Sequence, residues 1–133
     1  MSTDLIPVEL LQSFTTVVDT SARVVGSFTS ADDSCIRIDG RFRGSITLGP
    51  AGVVAISDGG VVEDAHVEAD YILISGYFAG IAHARLSLVV TERADVRGEL
   101  RYSSTLRVHQ AARVRASIAP SHSDIEVALH DSN

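Results

Sequence analysis

Three histidines, His66, His83 and His109, are the residues of this chain whose type best suits a divalent metal. Imidazoles projecting from successive turns of a repeating fold can share one zinc ion, which would then activate a bound water. Spacings of 17 and 26 residues put His66 and His83 on nearby repeats and leave His109 off that line. No carboxylate accompanies all three rings to orient them, so surface or partly buried histidines are the better reading. The carboxylate pairs Asp32/Asp33, Glu63/Asp64 and Glu68/Asp70 could serve as acid and base only inside a cleft. At corners, Asp is a turn former instead. Gly59-Gly60 opens no helix and is no phosphate loop. Cys35 is the lone cysteine, which rules out an intrachain disulfide and fits a reducing compartment. These residues predict no catalytic centre, no metal and no cofactor.

The elements that carry them are β-strands. The chain has 133 residues, 45% of them apolar, with 5% aromatics and no Trp, so its core must be aliphatic. Val, Ile, Thr and Ser are abundant, which favours strands over helices. A formal charge of −6 argues against a broad nucleic-acid-binding face. No run approaches the ~20 apolar residues of a spanning helix, and MSTDLIPVELLQSF lacks the basic start of a signal peptide. A cytoplasmic protein is expected.

Alternation of side chains across a strand can be followed here in two frames, and both recur. One is a pair of aliphatics one residue apart: Ile36/Ile38, Val54/Ile56, Ile72/Ile74, Leu88/Val90 and Leu106/Val108, at steps of 18, 18, 16 and 18. The other is a large-small-large triplet: Val24-Gly26-Phe28, Phe42-Gly44-Ile46, Phe78-Gly80-Ala82, Val96-Gly98-Leu100 and Val114-Ala116-Ile118. A period near 18 built from three sixes describes a three-sided β-solenoid of about six coils, whose stacking forms one aliphatic column. The small residue is expected to relieve crowding in a narrow lumen, or to supply a positive φ at a corner. In GGVVEDAHV the phase slips by one residue, so a bulge is expected there. An ordinary β-sandwich need not keep a fixed period. Left-handed hexapeptide helices of acyltransferase or gamma-carbonic-anhydrase type also use 18 residues per coil. They place a small residue directly after the aliphatic, whereas here it stands two places on.

The stretch IRIDGRFRGSI (Ile36 to Ile46) resembles the IDG and V-x-G-x-I motif of bactofilins, the polymer-forming bacterial cytoskeletal proteins. VEADYILISGYFAG (Val67 to Gly80) and ADVRGELRYSSTLRV (Ala94 to Val108) look like later rungs of the same domain. The resemblance implies an all-β, single-domain, right-handed triangular parallel β-helix over residues 17–119. It also implies subunits that stack end to end into filaments without a nucleotide and position client proteins. Glu63-Asp64-Ala65 departs from the family's V-x-G, and Val114 stands where relatives often carry Phe.

A solenoid has two open ends, each with unpaired strand edges and the cross-section of an apolar column. The residues expected to mediate self-association are Val18, Val24 and Phe28 at one end, and Leu106, Val108, Val114 and Ile118 at the other. Contacts could run head to head and tail to tail, or head to tail. Residues 1–16 read as an extension in which Asp4 caps a short helix carrying Leu10, Leu11 and Phe14 on one face. That helix would either touch the inner membrane or cap the first rung. Its acids suit anionic lipid poorly, so a cap is preferred. Residues 120–133 are expected to form a mobile tail. The competing functions are a hexapeptide-type enzyme and a capped accessory subunit that does not polymerise.

Overall fold

The computed structural model describes residues 16–30 and 35–120. Ten strands follow in order: β1 (Thr16–Val18), β2 (Arg23–Ser30), β3 (Cys35–Ile38), β4 (Arg41–Leu48), β5 (Val53–Ile56), β6 (Val61–Ile74), β7 (Tyr77–Val90), β8 (Asp95–Tyr102), β9 (Thr105–Val108) and β10 (Arg113–Pro120). Every pairing among them is parallel and joins a strand to its counterpart one coil on, 15 to 21 residues away in sequence. The described chain is an all-β solenoid.

Both sequence frames are structural columns. Ile36, Val54, Ile72, Leu88 and Leu106 stand over one another in register, with Val18 opposite Ile38 in the rung before. Val24, Phe42, Val62, Phe78, Val96 and Val114 form a second column. Phe28, Ile46, Val67, Ala82, Leu100 and Ile118 form a third. The lumen is a single apolar cluster in which Ile38, Ile46, Val54, Val62, Ile72, Phe78 and Leu88 are fully buried. Each rung alone has one buried side per strand, so only stacking at the strand spacing removes these side chains from water.

The expected bulge is present. Arg43 pairs with Glu63 and Gly44 with Ala65, which leaves Asp64 as the extra residue, in the left-handed region at φ 49°. A second irregularity, between Ala69 and Tyr71 of β6, leaves Arg85 and Leu86 of β7 opposite Asp70. The 16-residue step from Ile72 to Leu88 belongs to a rung with short corners, where β6 and β7 run on through the bend without a loop.

Lumen crowding is not what selects the small residue of the triplet. Gly26, Gly44, Gly80 and Gly98 all have φ between 112° and 150° and mark a corner at which each long strand bends. A Cβ on Gly44 would stand 1.8 Å from the carbonyl oxygen of Gly26, and one on Gly80 would stand 2.1 Å from that of Ala65. The conflict is with the backbone of the adjacent rung, outside the lumen. In the third rung Asp64 takes the left-handed conformation, and Ala65 stands in the glycine column. A second glycine column lies at the corner after the aliphatic pair. Gly40 of the IDG element approaches the carbonyl oxygen of Asp19 so closely that a Cβ would lie 2.1 Å away, and Gly60 repeats this at 2.3 Å from that of Ile38.

Gly80→Ala combines a left-handed φ with a backbone clash and should cost more than about 2 kcal/mol. Gly59→Ala meets nothing within 4 Å although its φ is 101°, so it should cost only about 1 kcal/mol, the strain alone. Chemical denaturation midpoints of the two variants, measured side by side, separate these contributions. Equal losses would mean that rung contact is not the constraint.

Candidate functional site: the end rungs and the outer faces

The two ends of the solenoid differ from its middle in burial and in pairing. In the last rung Leu106, Val108, Val114 and Ile118 are only partly buried, while their column neighbours Leu88, Val90, Val96 and Leu100 are 0–1% exposed. Among the described residues β9 pairs only with β7 and β10 only with β8, so both present an open edge. At the first rung β1 pairs only with β3, and β2 only with β4. There Val18 is buried, Phe28 is half-buried and Val24 is exposed, beside the exposed Val17 and Val25. A cavity of about 240 Å³ opens among Val18, Val24, Phe28, Ile36, Phe42 and Ile46, the mouth of the aliphatic column. The seven end residues singled out from sequence thus fall into two groups at opposite ends. Leu10, Leu11 and Phe14 lie outside the described residues.

The histidines do not come together. His66 pairs in register with Ser45 and Ile81, so it does not stack on His83, as the spacing had allowed. His83 stands between Glu68 and Arg101, and His109 faces Glu92 at 3.6 Å. Among the described residues no group of three or more potential ligands could hold a metal ion. Arg97 and Arg115 do stack as like charges. Arg97 also lies 3.7 Å from Asp95 of its own rung and 6.0 Å from the centre of the Tyr77 ring of the rung before, so its charge has compensation nearby. Arg43 bonds the bulge residue Asp64 at 2.6 Å, and that hydrogen bond, with the carboxylate's charge, raises the guanidinium pKa.

Two features were not singled out from sequence. The first is Arg85, at the second register irregularity. Its Nε donates to Asp70 Oδ1 at 2.7 Å and its Nη1 to Glu68 Oε2 at 3.1 Å. Its Nη2 donates to the carbonyl of Leu48 and, at 3.1 Å, to that of Gly49. The other oxygen of Asp70 accepts from the Ala51 amide at 2.7 Å. One guanidinium on β7 therefore ties together β6 and the loop after β4, one and two rungs away, at the corner where β6 and β7 have no loop. Its planar fork of donors suits this several-partner role in a way an ammonium does not. Only the missing turn residues between Glu68 and Leu88 hinted at it.

The second feature is the outer side of the paired-aliphatic face. Ile36, Ile38 and their equivalents point inward, so parity directs the residues between and before them outward. Yet Cys35 and Val53 are 4% and 0% exposed and form an apolar cluster separate from the lumen, against which Tyr71, Leu73 and Val89 pack. A groove of about 730 Å³ opens on this face, lined by Ala55, Leu73 and Val89 and, among charged residues, by Arg37, Arg93 and Arg107 together with Asp58 and Glu92. The signal in the sequence is VVAI (Val53 to Ile56) and YILI (Tyr71 to Ile74), where the expected polar alternation fails. Among the described residues no helix is long and apolar enough to cross a membrane.

A family model described as "Bactofilin: Polymer-forming cytoskeletal" matches residues 16–119. No curated protein matches the chain, and no solved structure does.

Arg85→Ala should lower the stability of the folded chain by about 2 kcal/mol, because it leaves Asp70 and two loop carbonyls short of a charged donor. Arg85→Lys should recover less than half of that loss. Equilibrium urea unfolding of both variants measures it, and a full recovery by Lys would rule out the forked clamp.

Proposed function

The chain belongs to the bactofilin family, and on that premise we propose that it is a cytoskeletal scaffold that self-assembles end to end through its terminal rungs. The carrying observation is the contrast in the aliphatic columns, which are sealed at Leu88, Val90, Val96 and Leu100 but half-open one rung later at Leu106, Val108, Val114 and Ile118. A second copy set against that rung would bury these side chains and pair the open edges of β9 and β10, with the same stacking that holds rungs together inside the chain. Val24 and Phe28 offer an equivalent surface at the other end. Two self-associating ends on one rod, each contact leaving the far end available, generate a polymer rather than a closed ring. No nucleotide is needed in this scheme, because stacking alone supplies the contact free energy. The role is structural: the filament presents outer faces in repeat and positions client proteins on them in the cytoplasm, in place of a catalytic activity.

The test is negative-stain microscopy of the full chain beside Val114→Asp/Ile118→Asp, with circular dichroism to confirm that strand content is kept. The wild type is expected to form filaments and the double variant discrete particles. Dimers of the variant would mean that like ends meet, since the first-rung end still pairs; monomers would mean a head-to-tail polymer. Filaments from the variant indistinguishable from wild type would remove the last rung from the contact. Discrete particles from the wild type would overturn the polymer reading.

A further inference from the structure

The last rung repeats an earlier strand but lacks what that strand meets. Arg113 to Ile118 reads RVRASI, and Arg41 to Ile46 reads RFRGSI. Both set arginines outward on either side of a residue of the same inward column, Val114 or Phe42. In the stack β4 is followed by β6, which brings Glu63 to 3.7 Å from Arg41 and Asp64 to 2.6 Å from Arg43. Among the described residues nothing stacks on the far side of β10, and residues 103–120 contain no carboxylate. The acid beneath, Asp95, stands opposite Arg113 and lies 3.7 Å from Arg97, over which Arg115 is stacked, so one carboxylate serves three guanidiniums. Among the described residues every arginine from Arg37 to Arg101 is in an ion pair. Arg107, Arg113 and Arg115 at the last rung, and Arg23 at the first, are in none.

We propose that the last-rung end docks a strand of another protein in which acid, apolar and acid residues alternate, laid on β10 as an extra rung. The open edge of β10 supplies the backbone groups, half-buried Val114 takes the apolar side chain, and Arg113 and Arg115 take the carboxylates. A second copy does not provide this chemistry. In continued stacking its first rung would set Arg23 over Arg113, as β2 sets Arg23 against Arg41. Its last rung would set arginines against arginines. Like charges facing across strands are unfavourable, so self-association at this end is the weaker contact and the acidic strand competes with it. A polyphosphate or nucleic acid would match the charges but leave Val114, Ile118 and the strand edge uncovered. The proposal rests on the last rung being a contact surface and adds a second occupant for it.

The probe is a fluorescein-labelled peptide with the β6 sequence, residues 61–74, because that strand is what the Arg41–Arg43 pair already meets in this fold. Its anisotropy is titrated with the full chain and with full-chain Arg113→Gln/Arg115→Gln, whose strand content is checked by circular dichroism. Both titrations are repeated with the peptide changed by Glu63→Gln/Asp64→Asn. The acidic peptide should bind the wild type, and either change alone should weaken binding by about tenfold or more, with little further loss when both are made. The acidic peptide should also shorten wild-type filaments under negative stain. Equal affinity of the two peptides, or no binding, would overturn the proposal. So would displacement by polyphosphate as effective as by unlabelled peptide, which would show a plain anion site. Binding that emerges only in full-chain Asp124→Asn/Glu126→Gln would assign the edge to the chain's own C-terminal segment instead. A wild type that binds the peptide but forms no filaments would sink self-assembly and leave this proposal standing; filaments that ignore the peptide would do the reverse.

Discussion

Neighbouring rungs of this solenoid come so close at two corners that one added carbon atom would collide with a carbonyl oxygen. At Gly44 the separation would be 1.8 Å, and at Gly40 2.1 Å. Everything else in the domain depends on that approach. It keeps the strands at hydrogen-bonding distance, keeps the columns in register and lets aliphatic side chains close over one another without a gap. Asp64 shows how strict the requirement is. Where the column offers Ala65 in place of glycine, the chain inserts a residue, puts it in the left-handed conformation and anchors it to Arg43.

A structure held together by stacking like on like has no intrinsic reason to stop. Inside the chain each rung is covered on both sides, so a buried Ile or Leu is satisfied by its own column. At the ends the same residue types are left half-covered, and among the described residues the edges that would accept another strand are open. Assembly in this view is continuation of the fold across a chain boundary. The side chains such a contact would use are the same Val, Leu, Ile and Phe types that form the core.

The outer surface divides the work differently from face to face. Two sides carry mixed charges in short-range pairs such as Arg41 with Glu63 and Arg101 with Glu99, which solvent screens and which contribute little to stability. The corner at Arg85 is another matter, since one guanidinium there replaces turn residues that two rungs lack. The outward column of the paired-aliphatic face is apolar at Ala55, Leu73 and Val89, between Arg37 and Arg107, so this side of the rod is unlike the other two.

The period, the two columns, the parallel stacking and the bulge near Asp64 were legible in the sequence, because side-chain alternation is a local property of a strand and every rung repeats it. The identity of the end residues followed from the same periodicity. The reason for the triplet glycine was not legible: lumen crowding and backbone contact between rungs select the same small residue, and only the register shows that the contact is outside. Arg85 was hidden because its partners, Leu48 and Gly49, stand 37 and 36 residues away in sequence. His66 and His83 looked stackable until the bulge and the shortened rung changed which residues face each other. Sequence by itself determined what repeats, since a repeat is written in residue types. Tertiary structure alone decided which residues meet across rungs and which outward residues are buried, because those depend on the summed lengths of corners and bulges that no single repeat records.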